Sequence, residues 1–133
     1  MAWIIGTVSA IAVGIFATGM GLDRDRAFYP TVMMVIALLY ILFALMGATT
    51  SALFRESLFS VAFLTLAAVG FKKSLWLVAA ALAAHGIFDL SHRVFVDNAG
   101  VPAFWPNFCS AYDVTAAVYL AWLLASNRLR AST

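Results

Sequence analysis

The chain has 133 residues, of which 65% are hydrophobic and 11% are charged, and its formal net charge is +2. Soluble domains carry roughly 25% charged residues, so a chain of this size with a mean hydropathy of +0.99 cannot bury its apolar surface in water. These values exclude a soluble globular domain and predict an integral membrane protein in contact with a lipid bilayer, in which the excess of basic residues reports orientation and not nucleic-acid binding.

Five apolar stretches are each long enough to cross a bilayer as a helix, because a span needs about 20 residues. They are predicted at about residues 2–20, 30–48, 53–71, 74–95 and 106–126. Pro30 and Pro106 each stand at a favourable first helical position. The spans use most of the chain, so residues 1–133 are predicted to form one all-α domain, a bundle of five transmembrane helices. The links are short, which makes sequential helices antiparallel neighbours.

Basic residues are distributed unevenly between the two faces of the membrane. We call the face at Met1 side A and the opposite face side B. Side A receives Arg55 and Arg93. Side B receives the other six basic residues, which are Arg24, Arg26, Lys72, Lys73, Arg128 and Arg130. The positive-inside rule then places side B in the cytoplasm, with the N-terminus outside and the C-terminus inside. We expect the protein in the inner (cytoplasmic) membrane of a bacterium.

The fourth span carries two histidines and an aspartate on one face. His85, Asp89 and His92 are spaced i, i+4 and i+7, which places them within an arc of about 60° on a helix. Ionisable groups inside a membrane helix are costly, and they persist mainly where they pair, bind a ligand or relay protons. Because imidazoles and carboxylates bind divalent transition metals, the sequence predicts that these three residues are metal ligands. The alternatives are a proton or polar-substrate site, or a hydrogen-bonded network that only joins helices.

Two further carboxylates are delivered to the same half of the membrane. Glu56 begins span 3 at side A, and Asp113 lies about seven residues into span 5. Asp89 lies about six residues before the end of span 4, so Asp89 and Asp113 both lie roughly 10 Å from side A. We expect Asp89 or His85 to approach Asp113 within about 8 Å. Glu56 and Asp113 are the predicted catalytic residues, and either can complete the metal shell; for Glu56 the alternative is an interfacial ion pair with Arg55.

Predictions also follow for the other polar residues of the spans and links. Cys109 is interpreted as a small apolar filler, with a ligand or nucleophile role as the alternative. Residues 23–26 alternate in sign, and we expect a solvated loop there with local ion pairs. Thr18, Tyr40 and Tyr119 are assigned to the cytoplasmic halves of their spans, and so few polar groups weigh against a pore through the bundle.

Span 1 carries small residues at every fourth position. They are Ala2, Gly6, Ala10, Gly14 and Thr18. Small residues at this spacing let helix backbones approach closely, either within the bundle or between two copies of the chain. We expect a homo-oligomer or a subunit of a membrane complex.

Three segments resemble a set of small uncharacterised bacterial multi-pass membrane proteins. They are FYPTV at 28–32, HGIFDLSH at 85–92 and YDV at 112–114. This resemblance covers most of the chain and implies no particular activity. The His and Asp residues on adjacent helices are also loosely similar to the alkaline-ceramidase-like membrane hydrolases, seven-span proteins that bind zinc through three histidines with an Asp and a Ser nearby. This chain has five predicted spans, two histidines and no evident serine position, so the likeness implies only a metal-supported pocket within the membrane.

The combined prediction is a membrane protein with a His/Asp pocket on its extracytoplasmic side. The pocket is expected to bind a divalent transition metal, with zinc as the first choice, and the metal would support hydrolysis of a lipid or another small apolar substrate. Two alternatives stay open. One is a small transporter of an ion, a proton or a solute, and the other is a structural subunit of a larger membrane complex.

Overall fold

The structure is a computed structural model that describes residues 1–129, so Arg130 of the predicted cytoplasmic set lies outside the described residues. Within residues 1–129 the chain forms five α-helices and no strands. They are α1 (Ala2–Met20), α2 (Phe28–Gly47), α3 (Thr50–Lys72), α4 (Leu75–Phe95) and α5 (Trp105–Ala125), with a 3₁₀ turn at Leu22–Arg24. All five helices are long and apolar enough to cross a membrane. The prediction of an all-α bundle of five transmembrane helices is confirmed.

The helix ends differ from the predicted spans by up to three residues, partly because polar caps decide them. α3 begins three residues early, since Thr49 Oγ1 accepts a hydrogen bond from Ala52 N at 3.2 Å and so satisfies a backbone donor that the helix itself leaves free. Ser74 Oγ caps α4 in the same way by accepting from Trp76 N at 3.3 Å. α2 begins two residues before Pro30, and a proline in the first turn of a helix costs no hydrogen bond.

The helices do not pack simply in chain order. α5 packs against both α1 and α4, whereas α2 packs against α3 and α4. Gly6 of α1 lies against the carbonyl oxygen of Phe108, and a Cβ added at Gly14 would lie 3.0 Å from the ring of Tyr119. The small residues of α1 therefore serve the contact with α5 inside the bundle. Assembly into a homo-oligomer stays a prediction.

The outer surface of the bundle is apolar. Large hydrophobic side chains on all five helices are more than half exposed, among them Ile4, Leu45, Val61, Ile87 and Val118. A soluble protein of this size does not expose so much contiguous apolar surface. The protein is therefore an integral membrane protein whose helix surfaces suit contact with lipid. The polar side chains described below point away from that surface, into the bundle.

Candidate metal centre

Four side chains from α4 and α5 form a buried group in the half of the bundle nearer side A. Ligand-type atoms of His85, Asp89, Cys109 and Asp113 all lie within 4.8 Å of one another. Each of the four residues is at most 3% exposed. We call these four residues the His/Asp/Cys group. Imidazole, carboxylate and thiolate are the ligands that zinc and related divalent ions use in proteins, so this group can hold a metal ion.

His85 lies at the centre of the His/Asp/Cys group. Its Nδ1 forms a hydrogen bond of 2.7 Å with Asp113 Oδ2 and lies 3.5 Å from Asp89 Oδ2. The Cys109 thiol donates to the same oxygen of Asp113 at 3.7 Å. The predicted convergence of His85 and Asp113 from adjacent antiparallel helices is therefore confirmed.

Two carboxylate oxygens of this group have unsatisfied hydrogen-bonding capacity. Asp89 Oδ2 and Asp113 Oδ1 are buried and accept no hydrogen bond from any of the described residues. At 3.5 Å, His85 Nδ1 is too far from Asp89 Oδ2 for a good hydrogen bond. A buried acceptor without a donor costs about 1–3 kcal/mol, and more when it is charged. A cation bound to Asp89 Oδ2, with a water molecule between it and Asp113 Oδ1, would satisfy both oxygens.

The close approach of α4 and α5 depends on Gly86, the residue after His85. A Cβ added at Gly86 would lie 2.9 Å from Val114 Cγ2 and 3.1 Å from the backbone oxygen of Ser110. Both distances are shorter than ordinary carbon contacts of about 3.5–4.0 Å. The missing side chain lets the backbones come together, and this brings His85 to Asp113.

Glu56 and His92 form a second buried group, closer to side A. His92 Nε2 and Glu56 Oε1 form a hydrogen bond of 2.7 Å, and Asn98 Nδ2 donates to the same carboxylate oxygen at 2.8 Å. Glu56 is fully buried. The side chain of Arg55 donates instead to the backbone oxygen of Phe95, at 3.3 Å. Glu56 is therefore a carboxylate of the bundle interior and not the interfacial partner of Arg55.

Tyr40 of α2 joins the two groups. Its hydroxyl donates to Asp89 Oδ1 at 2.7 Å, and its ring stacks on the ring of His92 with centroids 4.1 Å apart. Its backbone oxygen accepts from Asn98 Nδ2 at 3.2 Å. The assignment of Tyr40 to the cytoplasmic half is wrong. Tyr40 lies seven residues before the end of α2, which places it roughly 10 Å from side A, at the depth of Asp89.

The structure distributes the predicted site residues between the two groups. His85 and Asp89 stand with Asp113 in the His/Asp/Cys group, whereas His92 stands with Glu56. Residues seven positions apart on a helix share a face but differ by roughly 10 Å along its axis. His92 therefore lies outside the set of ligand-type atoms that surrounds His85. The assignment of ligands and of catalytic residues stays a prediction.

Three residues of the site are not among the residues assigned as ligands or catalytic groups, although a ligand role was the alternative interpretation of Cys109. Cys109 shares a helical face with Asp113 four residues later, and this spacing was its only signal in the sequence. The depth of Tyr40 follows from counting back from the end of α2. Asn98 lies in the link between α4 and α5, and no pattern in the sequence indicates that its side chain turns inward.

A separate polar cluster lies at side B. Asp23 is 3% exposed, and its Oδ2 accepts from Thr18 Oγ1 at 2.6 Å; the hydroxyls of Thr18 and Tyr119 lie 3.0 Å apart. The prediction of a solvated loop is therefore wrong for Asp23, because a hydroxyl near the end of α1 compensates its burial.

Two fully buried leucines, Leu82 of α4 and Leu120 of α5, lie between the His/Asp/Cys group and side B.

An apolar cleft opens between α2 and α5 next to the His/Asp/Cys group. Its volume is about 650 Å³, and Cys109 is one of its lining residues. The rings of Phe43 and Trp105, from α2 and α5, are 5.0 Å apart near side A, so the helices meet there. From Trp105 the cleft extends along α2 to Asp25 near side B. We call it the α2/α5 cleft.

The chain matches no protein-family model, and comparisons with curated proteins and with solved structures give no match. Both resemblances noted in the sequence therefore stay predictions.

Proposed function

We propose that this protein holds a divalent transition metal, zinc in the first instance, between α4 and α5 and uses it to hydrolyse a lipid or another apolar substrate. One observation carries the proposal. Four ligand-type side chains lie within 4.8 Å of one another, and two of their carboxylate oxygens are buried with no hydrogen-bond donor among the described residues. A network that served only to join helices is expected to satisfy its buried acceptors.

We assign His85, Asp89 and Cys109 as ligands and Asp113 as the general base. Three protein ligands with one open position are typical of catalytic zinc sites. Asp113 Oδ2 is already bonded to His85, which leaves Oδ1 to accept a proton. Glu56 is assigned a positioning role, because it bonds to His92 and Asn98 and both of these contact Tyr40.

The proposed reaction is hydrolysis of an acyl ester or amide. A bound ion would polarise the substrate carbonyl and activate water. As the water oxygen bonds to the acyl carbon, Asp113 Oδ1 takes one proton from the water. The bond between the acyl carbon and the leaving oxygen or nitrogen then breaks, and Asp113 returns the proton to the leaving group. The products are a carboxylic acid and an alcohol or amine, and no oxidant or reductant is needed.

The second candidate is a metal-free polar network that joins helices in a structural subunit. It is favoured by the pairing of each histidine with a carboxylate, His85 with Asp113 and His92 with Glu56. A transporter has less support. It needs a polar path to side B, where Leu82 and Leu120 are fully buried beyond the His/Asp/Cys group.

Elemental analysis of the purified full chain in mild detergent tests the proposal. We expect close to one equivalent of a transition metal. The bound amount should decrease as the pH is lowered, because the ligands must be deprotonated to bind. Added zinc should raise the unfolding temperature, since a ligand of the folded state stabilises it by mass action. Less than about a tenth of an equivalent, with no such rise, would favour the metal-free network.

Variants distinguish the ligand set. We expect His85→Ala and Cys109→Ala each to lose the metal, because both side chains belong to the His/Asp/Cys group. His92→Gln should keep it, since His92 is bonded to Glu56 and the glutamine amide can still donate to that carboxylate. Loss of metal in His92→Gln with retention in Cys109→Ala would replace Cys109 by His92 in the ligand set.

A further inference from the structure

The walls of the α2/α5 cleft are apolar along most of their length. On α2 they consist mainly of Val32, Val35, Ile36 and Leu39, and on α5 Phe108 faces them. All of these residues belong to helices that are long and apolar enough to span a membrane. In the hydrocarbon core there is no water to fill such a space. The cleft is therefore open to lipid chains.

The part of the cleft nearer side A matches one leaflet of a bilayer. Two of its lining residues, Leu39 and Val35, lie eight and twelve residues before the side A end of α2, which corresponds to roughly 12 and 18 Å of helix. The hydrocarbon core of a bilayer is about 30 Å thick, so one leaflet contributes about 15 Å. An extended acyl chain that enters from side A therefore reaches about as far as Val35, and the cleft continues beyond it to Phe28 in the side B leaflet.

The volume of the cleft suits a single small ligand. It is about 650 Å³, within the range of about 300–1,000 Å³ that is usual for such sites. A slender hydrocarbon chain fits this space. The alternative occupant is a helix from a second copy of the chain, which would exclude a lipid probe from the cleft, so labelling of the lining residues distinguishes the two.

The cleft also leads to the His/Asp/Cys group, because Cys109 lines the cleft and is a member of that group. Cys109 lies four residues after Trp105, at which α5 begins, so it is roughly 6 Å from the side A end of that helix. The polar interfacial layer of a bilayer is about 5–7 Å thick on each side. The carbonyl of a lipid in the side A leaflet therefore lies at about the depth of Cys109.

We infer that the α2/α5 cleft binds one acyl chain of a phospholipid from the side A leaflet, with the acyl carbonyl at Cys109 and the tail directed past Leu39 toward Val35. The placement of the carbonyl at the His/Asp/Cys group rests on the proposed hydrolytic function. The binding of the chain by the cleft does not. The substrate class is accordingly a lipid whose acyl group is attached through an ester or an amide.

Photo-crosslinking in vesicles tests the inference without reference to activity. The full chain is reconstituted in dioleoyl phosphatidylcholine with a trace of phosphatidylcholine that carries a diazirine in its sn-2 chain. After illumination, the labelled residues are mapped by mass spectrometry. We expect labelling of Val35, Leu39 and Phe108 to saturate as the probe increases, whereas labelling of lipid-exposed Val118 should rise linearly.

Adjacent tryptophan variants supply the matched control. Leu39→Trp fills the cleft, whereas Leu38→Trp adds the same side chain on the neighbouring lipid-exposed position, which is not part of the lining. We expect the saturable labelling of Phe108 to fall at least tenfold in Leu39→Trp and to be unchanged in Leu38→Trp. Val35 lines the cleft and is half exposed, so Val35→Trp gives the same test if Leu39→Trp does not fold.

The outcomes separate this inference from the proposed function. Labelling that is linear at every position, or equal in Leu39→Trp and Leu38→Trp, would overturn the acyl-chain site. Saturable labelling in a protein that binds no metal would uphold the chain site and reject the hydrolytic role. We expect Leu39→Trp to keep its metal, since Leu39 contributes no atom to the His/Asp/Cys group.

Discussion

Replacing Gly86 with alanine should push α4 away from α5 and weaken the contact between His85 and Asp113. The new Cβ would lie 2.9 Å from Val114 Cγ2, 3.1 Å from the Ser110 oxygen and 3.3 Å from Asp113 Cβ. Val114 is partly exposed and can rotate, but the Ser110 oxygen belongs to the backbone. Restoring a contact of about 3.5 Å there requires a shift of about 0.4 Å. The same shift would lengthen the 2.7 Å bond between His85 and Asp113 toward the upper limit of hydrogen bonding, about 3.2 Å.

The magnitude follows from two opposing effects. Overpacking a close contact costs about 1–3 kcal/mol, and alanine returns up to about 1 kcal/mol over glycine within a helix. Gly19 of α1 is the matched control, because a Cβ added there meets nothing within 4 Å. Gly19→Ala therefore gains helix propensity without overpacking. We expect Gly86→Ala to be less stable than Gly19→Ala by about 1–3 kcal/mol.

Unfolding of both variants in the same detergent, together with their zinc affinities, provides the assay. Gly86→Ala should unfold at the lower temperature and bind zinc more weakly, and Val114→Ala added to it should recover part of the loss. The reasoning is refuted if Gly86→Ala is as stable as Gly19→Ala and its zinc affinity is that of the unaltered chain. Either result bears directly on the helix contact, because both variants add the same methyl group.

Three further predictions concern orientation and the buried polar groups. Reporters fused after Thr133, outside the described residues, should be active only as cytoplasmic reporters, and periplasmic activity would reverse the predicted topology. Tyr40→Phe removes the hydroxyl that donates to Asp89 and should cost about 1–3 kcal/mol in unfolding free energy, measured in detergent. A Tyr40→Phe variant as stable as the unaltered chain would contradict this buried hydrogen bond. His92→Ala leaves the Glu56 carboxylate buried without its imidazole and should cost about 3–5 kcal/mol. Adding Glu56→Gln should recover part of this loss, and an additive double variant would argue against the pair.

The sequence predicts the helices well because a span is a property of length and hydropathy alone. It also predicts the meeting of His85 with Asp113, since chain direction and depth suffice to place two groups on adjacent antiparallel helices. Both predictions depend on the length, hydropathy and direction of each helix, which do not depend on how the neighbouring helices pack.

The rest of the site depends on distances that a helical face does not describe. His85 and His92 share an angle but not a depth, so the second histidine meets Glu56 instead. Which residues fill the space around His85 is decided by the approach of α5 at Gly86, and this brings in Cys109. Asn98 reaches the interior from a link between helices, where no periodic pattern exists to reveal it.

The packing of α1 on α5 has a consequence for how the protein is made. A helix that enters the membrane early usually finds a partner in the helix that follows it, but α1 packs mainly on a helix synthesised about a hundred residues later. Until α5 is inserted, α1 lacks its main neighbour and His85 lacks the carboxylate of Asp113. The arrival of α5 therefore completes both the bundle and the buried polar group in a single step of biogenesis, and in a chain interrupted before α5 the only carboxylate of the His/Asp/Cys group beside His85 is Asp89 of its own helix.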